Sequence, residues 1–131
     1  MDSESMVRVV GDLVADPPVV VGNETSLRWA ARQLEMGGAC AAIVGHTRRV
    51  DGIISEHDLS EAIAGGVDVD ATPVHVAMTP YFASLETTTP IEEAKRAARE
   101  GRFHYVAVSS HGEVVGLLTS EDILRIPHPG P

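Results

Sequence analysis

A single cysteine, Cys40, rules out a disulfide within the chain. Aromatic residues are scarce, with two Phe, two Tyr and one Trp among 131 residues. That leaves little from which to build a platform for stacking nucleic-acid bases. Cations are outnumbered as well: ten Lys and Arg face nineteen Asp and Glu, for a formal net charge of −9. Such a field repels a DNA or RNA backbone and an anionic membrane surface. No apolar run approaches the roughly 18 residues of a membrane span. The opening, Met1 to Ser5, is acidic where a secretory signal is basic and then apolar. A soluble, cytoplasmic protein is expected, with neither a nucleic-acid polymer nor a membrane as partner. There is no Walker loop, no GxGxxG and no nucleophile–base–orienter set, so no enzyme is expected. His46, His75, His111 and His128 are scattered without metal-ligand spacing, so no metal is expected.

What the chain does have is a repeat. Gly52 to Leu59 reads GIISEHDL, and Gly116 to Ile123, 64 residues on, reads GLLTSEDI. The same offset aligns Thr25–Asp58 with Thr89–Asp122 without a gap. Identities fall at Thr25/Thr89, Ala30/Ala94, Arg32/Arg96, Gly37/Gly101, Val44/Val108, Val50/Val114, Gly52/Gly116 and Asp58/Asp122. A chain that repeats itself once is two copies of one small unit. At about 60 residues each copy is marginal as a core of its own. The copies are therefore expected to pack together, within the length of one ordinary domain. Apolar content of 44% and charged content of 22% fit a globular chain.

The elements follow from periodicity and punctuation. Val7–Val14 leads in as a short helix or strand, stopped by Pro17 and Pro18. Val19–Val21 reads as a strand and Gly22-Asn23 as a turn. Thr25 or Ser26 caps a helix whose buried face is Leu27, Ala30, Ala31 and Leu34, ended by Gly37 and Gly38. Cys40–Val44 and Gly52–Ile54 read as strands, and Glu56–Ala64 as a helix. Residues 67–73 read as a linker. Val74–Met78 resembles Val10–Val14. Thr89, Pro90 and Glu92 write a helix start with a capping box. Its inner face is Ile91, Ala94, Ala97 and Ala98, and Gly101 stops it. His104–Val108 and Val114–Leu118 are strands, Glu121–Ile126 is the last helix, and 128–131 is a tail. Each half thus reads strand, helix, strand, strand, helix. The expected units are 7–66 and 74–127, in an α/β (α+β) fold.

Both copies end in Gly, two aliphatics, a hydroxyl residue, two variable residues and Asp. Ser55-x-x-Asp58 and Thr119-x-x-Asp122 can be plain capping boxes, which are common at helix starts. The same geometry can serve a ligand. Free N–H groups at a helix start suit phosphate. The Ser55 or Thr119 hydroxyl could donate to it, and a carboxylate one turn on could accept from ribose hydroxyls, as an acid does in dinucleotide folds. Ile53-Ile54 and Leu117-Leu118 could supply an apolar wall for a base.

The pattern, doubled at one register after the same run of elements, resembles the CBS domain family, named after cystathionine β-synthase. Two such domains in tandem form a Bateman module. The resemblance covers about Val7 to Ile126. It implies two βαββα units in a pseudo-two-fold pair, two clefts between the halves, and adenosine ligands: AMP, ADP, ATP or S-adenosylmethionine. It implies Asp58 and Asp122 as ribose-binding carboxylates and Ser55 and Thr119 as phosphate-side hydroxyls, with Ile54, Leu118 and Ser120 among the candidate ligand contacts. His57, between Glu56 and Asp58 at a helix start, reads first as a solvated surface histidine and second as a phosphate contact. Residues 101–108, GRFHYVAV, resemble the stretch of the AMP-activated protein kinase gamma subunit where a His-Arg pair meets phosphate. His104 matches that His and Tyr105 replaces the Arg. Cys40 and Ala41 hold these positions in the first half, so the two clefts are expected to be unequal.

The other polar residues have plainer readings. Arg48, Arg49 and Arg102 read as solvated, Cys40 as a buried inert thiol, and Trp29 as flanking the core or joining an interface. The expected protein is a stand-alone Bateman module with no required cofactor. It would bind an adenosine nucleotide as ligand and report its level, as in energy sensing, through an unidentified protein partner or as a homodimer. The dimer would use helices near 26–36, 56–64, 90–100 and 121–126. The rivals are a ligand-free dimerisation or docking scaffold, and a small hydrolase or thiol enzyme built on Cys40 and a His.

Overall fold

In a computed structural model, residues 7–101 and 103–127 are described, so Arg102, His128 and the tail lie outside the described residues. The chain forms two compact units, one of Pro18–Tyr81 and the other of the described residues on either side. Each has the βαββα order.

In the Pro18–Tyr81 unit the elements are β1 (Val20–Val21), α1 (Leu27–Gly37), β2 (Ala41–His46), β3 (Arg49–Ser55) and α2 (Glu56–Ala64). The sheet order is β1-β2-β3, with β1 parallel to β2 and β2 antiparallel to β3. Ser26 supplies the α1 cap by accepting from the Trp29 N–H at 3.1 Å. Gly38 ends the helix at φ 61°, a left-handed conformation that costs glycine little. Leu27, Ala30 and Leu34 are buried as their spacing requires, and pack with Val21, Ala42, Val44, Ile54, Leu59 and Val74. Ala31 is exposed, contrary to its expected place on the inner face. Cys40 is also exposed rather than buried, because β2 begins one residue later.

The second unit repeats the plan with β4 (Ala83–Glu86), α3 (Ile91–Arg99), β5 (Tyr105–Ser110), β6 (Glu113–Thr119) and α4 (Ser120–Leu124). Sheet order β4-β5-β6 and strand directions match those of the first unit. Its core joins Val10, Ile91, Ala94, Ala98, Val106, Val108, Leu118 and Ile123. Lys95 is buried as well. Helix α3 starts at Ile91, with Pro90 at the N-cap position and no side-chain cap there, so the start expected at Thr89 is displaced by one residue.

The compact units do not follow the sequence halves. Each half begins with a short 3₁₀ turn, Val10–Leu13 or Val74–Val76, and these turns are exchanged. Val10 N–H donates to Thr89 O at 2.8 Å and Ile91 N–H to Arg8 O at 2.9 Å, so residues 8–11 complete the entry to α3. Val74 N–H donates to Thr25 O at 2.6 Å and Leu27 N–H to Thr72 O at 3.0 Å, completing the entry to α1. The leading segment of each half thus meets backbone groups that the helix start of the other half would leave unpaired.

Candidate functional site

The motif glycines fix what lies beside each strand end. A Cβ on Gly52 would stand 2.8 Å from Met78 Sδ and 2.9 Å from Thr79 O. A Cβ on Gly116 would stand 2.7 Å from two Val14 methyls. The glycine therefore admits the exchanged segment flat against the strand. In the Pro18–Tyr81 unit that approach is locked by two backbone bonds, Thr79 N–H to Ile53 O at 2.8 Å and Ile53 N–H to Thr79 O at 2.9 Å.

The strands end at the hydroxyl residues. Ser55 closes β3 and is 3% exposed. Its Oγ accepts from Asp58 N–H at 3.1 Å, and Asp58 Oδ2 accepts from Ser55 N–H at 2.9 Å. Thr119 and Asp122 repeat this at 3.1 and 2.9 Å. Both capping boxes are therefore formed. Beyond them the copies differ. Asp58 Oδ2 also accepts from the Ser55 hydroxyl at 2.9 Å. Thr79 Oγ1 donates to Asp58 Oδ1 at 3.2 Å and Oδ2 at 3.3 Å. Asp122 Oδ1 accepts from no described residue, and the Thr119 hydroxyl donates to none. Thr79 is the residue that sequence reading missed. Its one signal was Thr79-Pro80 ahead of the second copy.

The remaining candidates sort by unit. Tyr105 pairs with Thr119 in the β5–β6 ladder, and Ser120 N–H donates to His104 O at 2.9 Å. His104, Tyr105, Thr119, Ser120 and Asp122 are thus brought together. His104 is exposed, and its ring lies edge-on to Tyr105 with centroids 4.6 Å apart. His57 is exposed and turns to Glu61, Nε2 to Oε1 3.0 Å. Ile54 is fully buried and Leu118 is 8% exposed, so both belong to the cores. Leu117 is the half-buried member of its pair. A cavity of about 340 Å³ lies beside Asp58, lined by Leu27, Glu61, Ala62, Val67 and Val76 among others, and no cation lines it. Cys40 Sγ hydrogen-bonds to no described residue, and only its carbonyl is engaged, by Glu56 N–H at 3.0 Å. Among the described residues no three His, Cys, Asp or Glu gather to hold a metal ion, and no helix is long and apolar enough to cross a membrane.

Comparison with known proteins agrees with this geometry. The profile of the family described as CBS domain matches residues 10–65 and 71–128. A CBS-domain-containing protein of Agrobacterium tumefaciens has a similar structure (TM-score 0.74, 28% identity, 96% of this chain and 98% of that one covered). So does a CBS domain protein of Pyrobaculum aerophilum solved in complex with AMP (TM-score 0.74, 25% identity, 87% and 88% covered). The A-adding tRNA nucleotidyltransferase of Aquifex aeolicus is 28% identical over 117 residues. That match takes in 88% of this chain but 14% of the enzyme's length.

Proposed function

The chain belongs to the CBS domain family, and from that membership we propose that it is a regulatory module that binds an adenosine nucleotide (AMP, ADP, ATP or S-adenosylmethionine) and is not an enzyme. The observation that carries the reading is the unspent chemistry of the second motif. Among the described residues Asp122 Oδ1 is an open acceptor, and the Thr119 hydroxyl beside it is an open donor. Asp122 would accept from the ribose hydroxyls. Thr119 and the Ser120 side chain would meet phosphate, with His104 as the nearby group able to carry positive charge. Leu117 would face the base. The neighbour from Pyrobaculum aerophilum, with its bound AMP, supports the ligand class.

A thermal-shift panel of AMP, ADP, ATP, S-adenosylmethionine and NADH tests it. At 100 times its dissociation constant a ligand stabilises the fold by about 2.7 kcal/mol. No shift at millimolar concentration with any adenosine compound overturns the reading. The scaffold reading is favoured by one observation, that both capping boxes are complete without a ligand. A homodimer in the cytoplasm belongs to the same proposal, supported by exposed Trp29, Met36, Ile63 and Leu124 on the helices. Sedimentation at tens of micromolar decides it, and a monomer overturns it.

A further inference from the structure

We infer that Thr79 is a latch that closes the first of the two carboxylates, so that the chain takes one adenosine ligand, at Asp122, and not two. The inference rests on the nucleotide reading above and adds to it the stoichiometry and the residue that sets it.

A carboxylate offers about four lone-pair positions. At Asp58 the Ser55 N–H and Ser55 O–H take two on Oδ2, at 2.9 Å each. Thr79 Oγ1 stands 3.2 Å from Oδ1 and 3.3 Å from Oδ2. An atom nearly equidistant from both oxygens sits astride the carboxylate, where a ribose diol would need to place its two hydroxyls. The Ser55 proton is committed to Asp58, so it cannot also go to a phosphate oxygen. A ligand at Asp58 must first displace the Thr79 hydroxyl.

That hydroxyl is delivered by fixed backbone. Thr79 exchanges both of its backbone bonds with Ile53, at 2.8 and 2.9 Å. The latch is therefore built into the strand edge.

The second copy is the internal control. Met78 lies on Gly52 as Val14 lies on Gly116, and Val14 to Met78, like Gly52 to Gly116, is a step of 64 residues. At that offset the residue matching Thr79 is Ala15, which has no hydroxyl. Among the described residues Asp122 keeps Oδ1 free and Thr119 keeps its proton. The asymmetry has two parts, the Thr79 hydroxyl and the backbone pair Thr79–Ile53 that delivers it, and among the described residues neither has a counterpart at Ala15 and Leu117.

Calorimetric titration with AMP, and with ATP as second probe, tests the latch in four proteins. The parent is expected to bind one nucleotide per chain. Thr79→Ala, which gives the first copy the residue of the second, is expected to bind two. Thr79→Ser keeps the hydroxyl and stays at one. Thr79→Val, which keeps the branched shape and removes only the hydroxyl, is likewise expected to bind two. Circular dichroism confirms that each variant is folded, and Thr79→Val carries the test should Thr79→Ala fail to fold. Two events in the parent, or one in Thr79→Ala, overturn the latch while the nucleotide reading stands. No binding by parent or Thr79→Ala overturns the nucleotide reading, and the latch falls with it.

Discussion

Lys95 on α3 and Ala31 on α1 stand 64 residues apart at one repeat position, yet the lysine is 4% exposed and the alanine lies open. The ammonium of Lys95 has no hydrogen-bond or ion-pair partner among the described residues. No side-chain nitrogen fully buried among the described residues lacks a partner, so its tip reaches water while its stem is covered. Helix α3 meets α4 along more of its length than α1 meets α2. Beside Ala31 an open groove of about 450 Å³ remains, lined by Leu34, Glu35, Glu56, Leu59 and Ser60.

The lysine is therefore a packing residue. Lys95→Ala is expected to cost about 2 kcal/mol, from roughly 0.8 kcal/mol per buried methylene lost. Lys95→Met, which keeps the stem and drops the charge, is expected to be neutral or stabilising. Urea unfolding of the three proteins checks this. If Lys95→Met loses as much as Lys95→Ala, the charge itself stabilises the fold and the packing account is wrong.

How far the sequence could be read follows from what is local. The caps of Ser55 and Thr119 and the span of α2 were legible, because a cap is written within four residues. Strand β4 was not located. Ala83–Glu86 has only a weak alternation, and its extended form is imposed by parallel pairing with β5. The exchange of leading segments was invisible for the same reason, since Val10 meets Thr89 across most of the chain. Thr79 joins Asp58 only through that exchange. The candidate residues were legible as a motif, but which of them were spent depended on a partner brought in from elsewhere.

The motif glycines make a second test. Gly116→Ala drives a methyl to 2.7 Å from Val14 and is expected to cost about 1–3 kcal/mol from overpacking. Val14→Ala on that background should recover part of the loss, because the obstacle is a side chain. Gly52→Ala has no such rescue through Met78→Ala alone, because Thr79 O, a backbone atom, stands 2.9 Å away. Melting temperatures of the double variants separate the two cases.

Acid titration probes the other leading segment. Asp12 Oδ2 accepts from Arg8 N–H at 2.9 Å and Val9 N–H at 3.1 Å, capping the turn Val10–Leu13. The backbone bond from Arg8, then that from Val9, holds its carboxyl below the ordinary 3.8. A carboxyl lowered in the fold stabilises it above the unfolded value, and that contribution is lost as pH falls from 3.8 toward the lowered one. Asp70, lowered by its hydrogen bonds from Arg28, acts in the same direction. The parent should lose stability as pH falls through about 4 and below, and Asp12→Asn should flatten that slope. An unchanged slope in Asp12→Asn would place the acid sensitivity elsewhere.

The two motif aspartates separate stability from binding. Asp58 holds together Ser55 N–H, Ser55 O–H and Thr79 O–H, whereas Asp122 holds only Thr119 N–H. Losing a cap alone costs about 0.5–2 kcal/mol. Asn keeps the size and one acceptor but removes the charge. Asp58→Asn should therefore lower the ligand-free melting point more than Asp122→Asn, since more donors lose a charged acceptor. The order reverses for binding. Asp122→Asn should weaken nucleotide affinity at least tenfold, from about 1.5–3 kcal/mol per hydrogen bond to a charged group. Asp58→Asn should leave the measured affinity near that of the parent. Melting curves and calorimetric titration on the same samples decide the matter. If both variants bind like the parent while both lose stability, the carboxylates serve as caps only, and the docking scaffold becomes the better account of this chain.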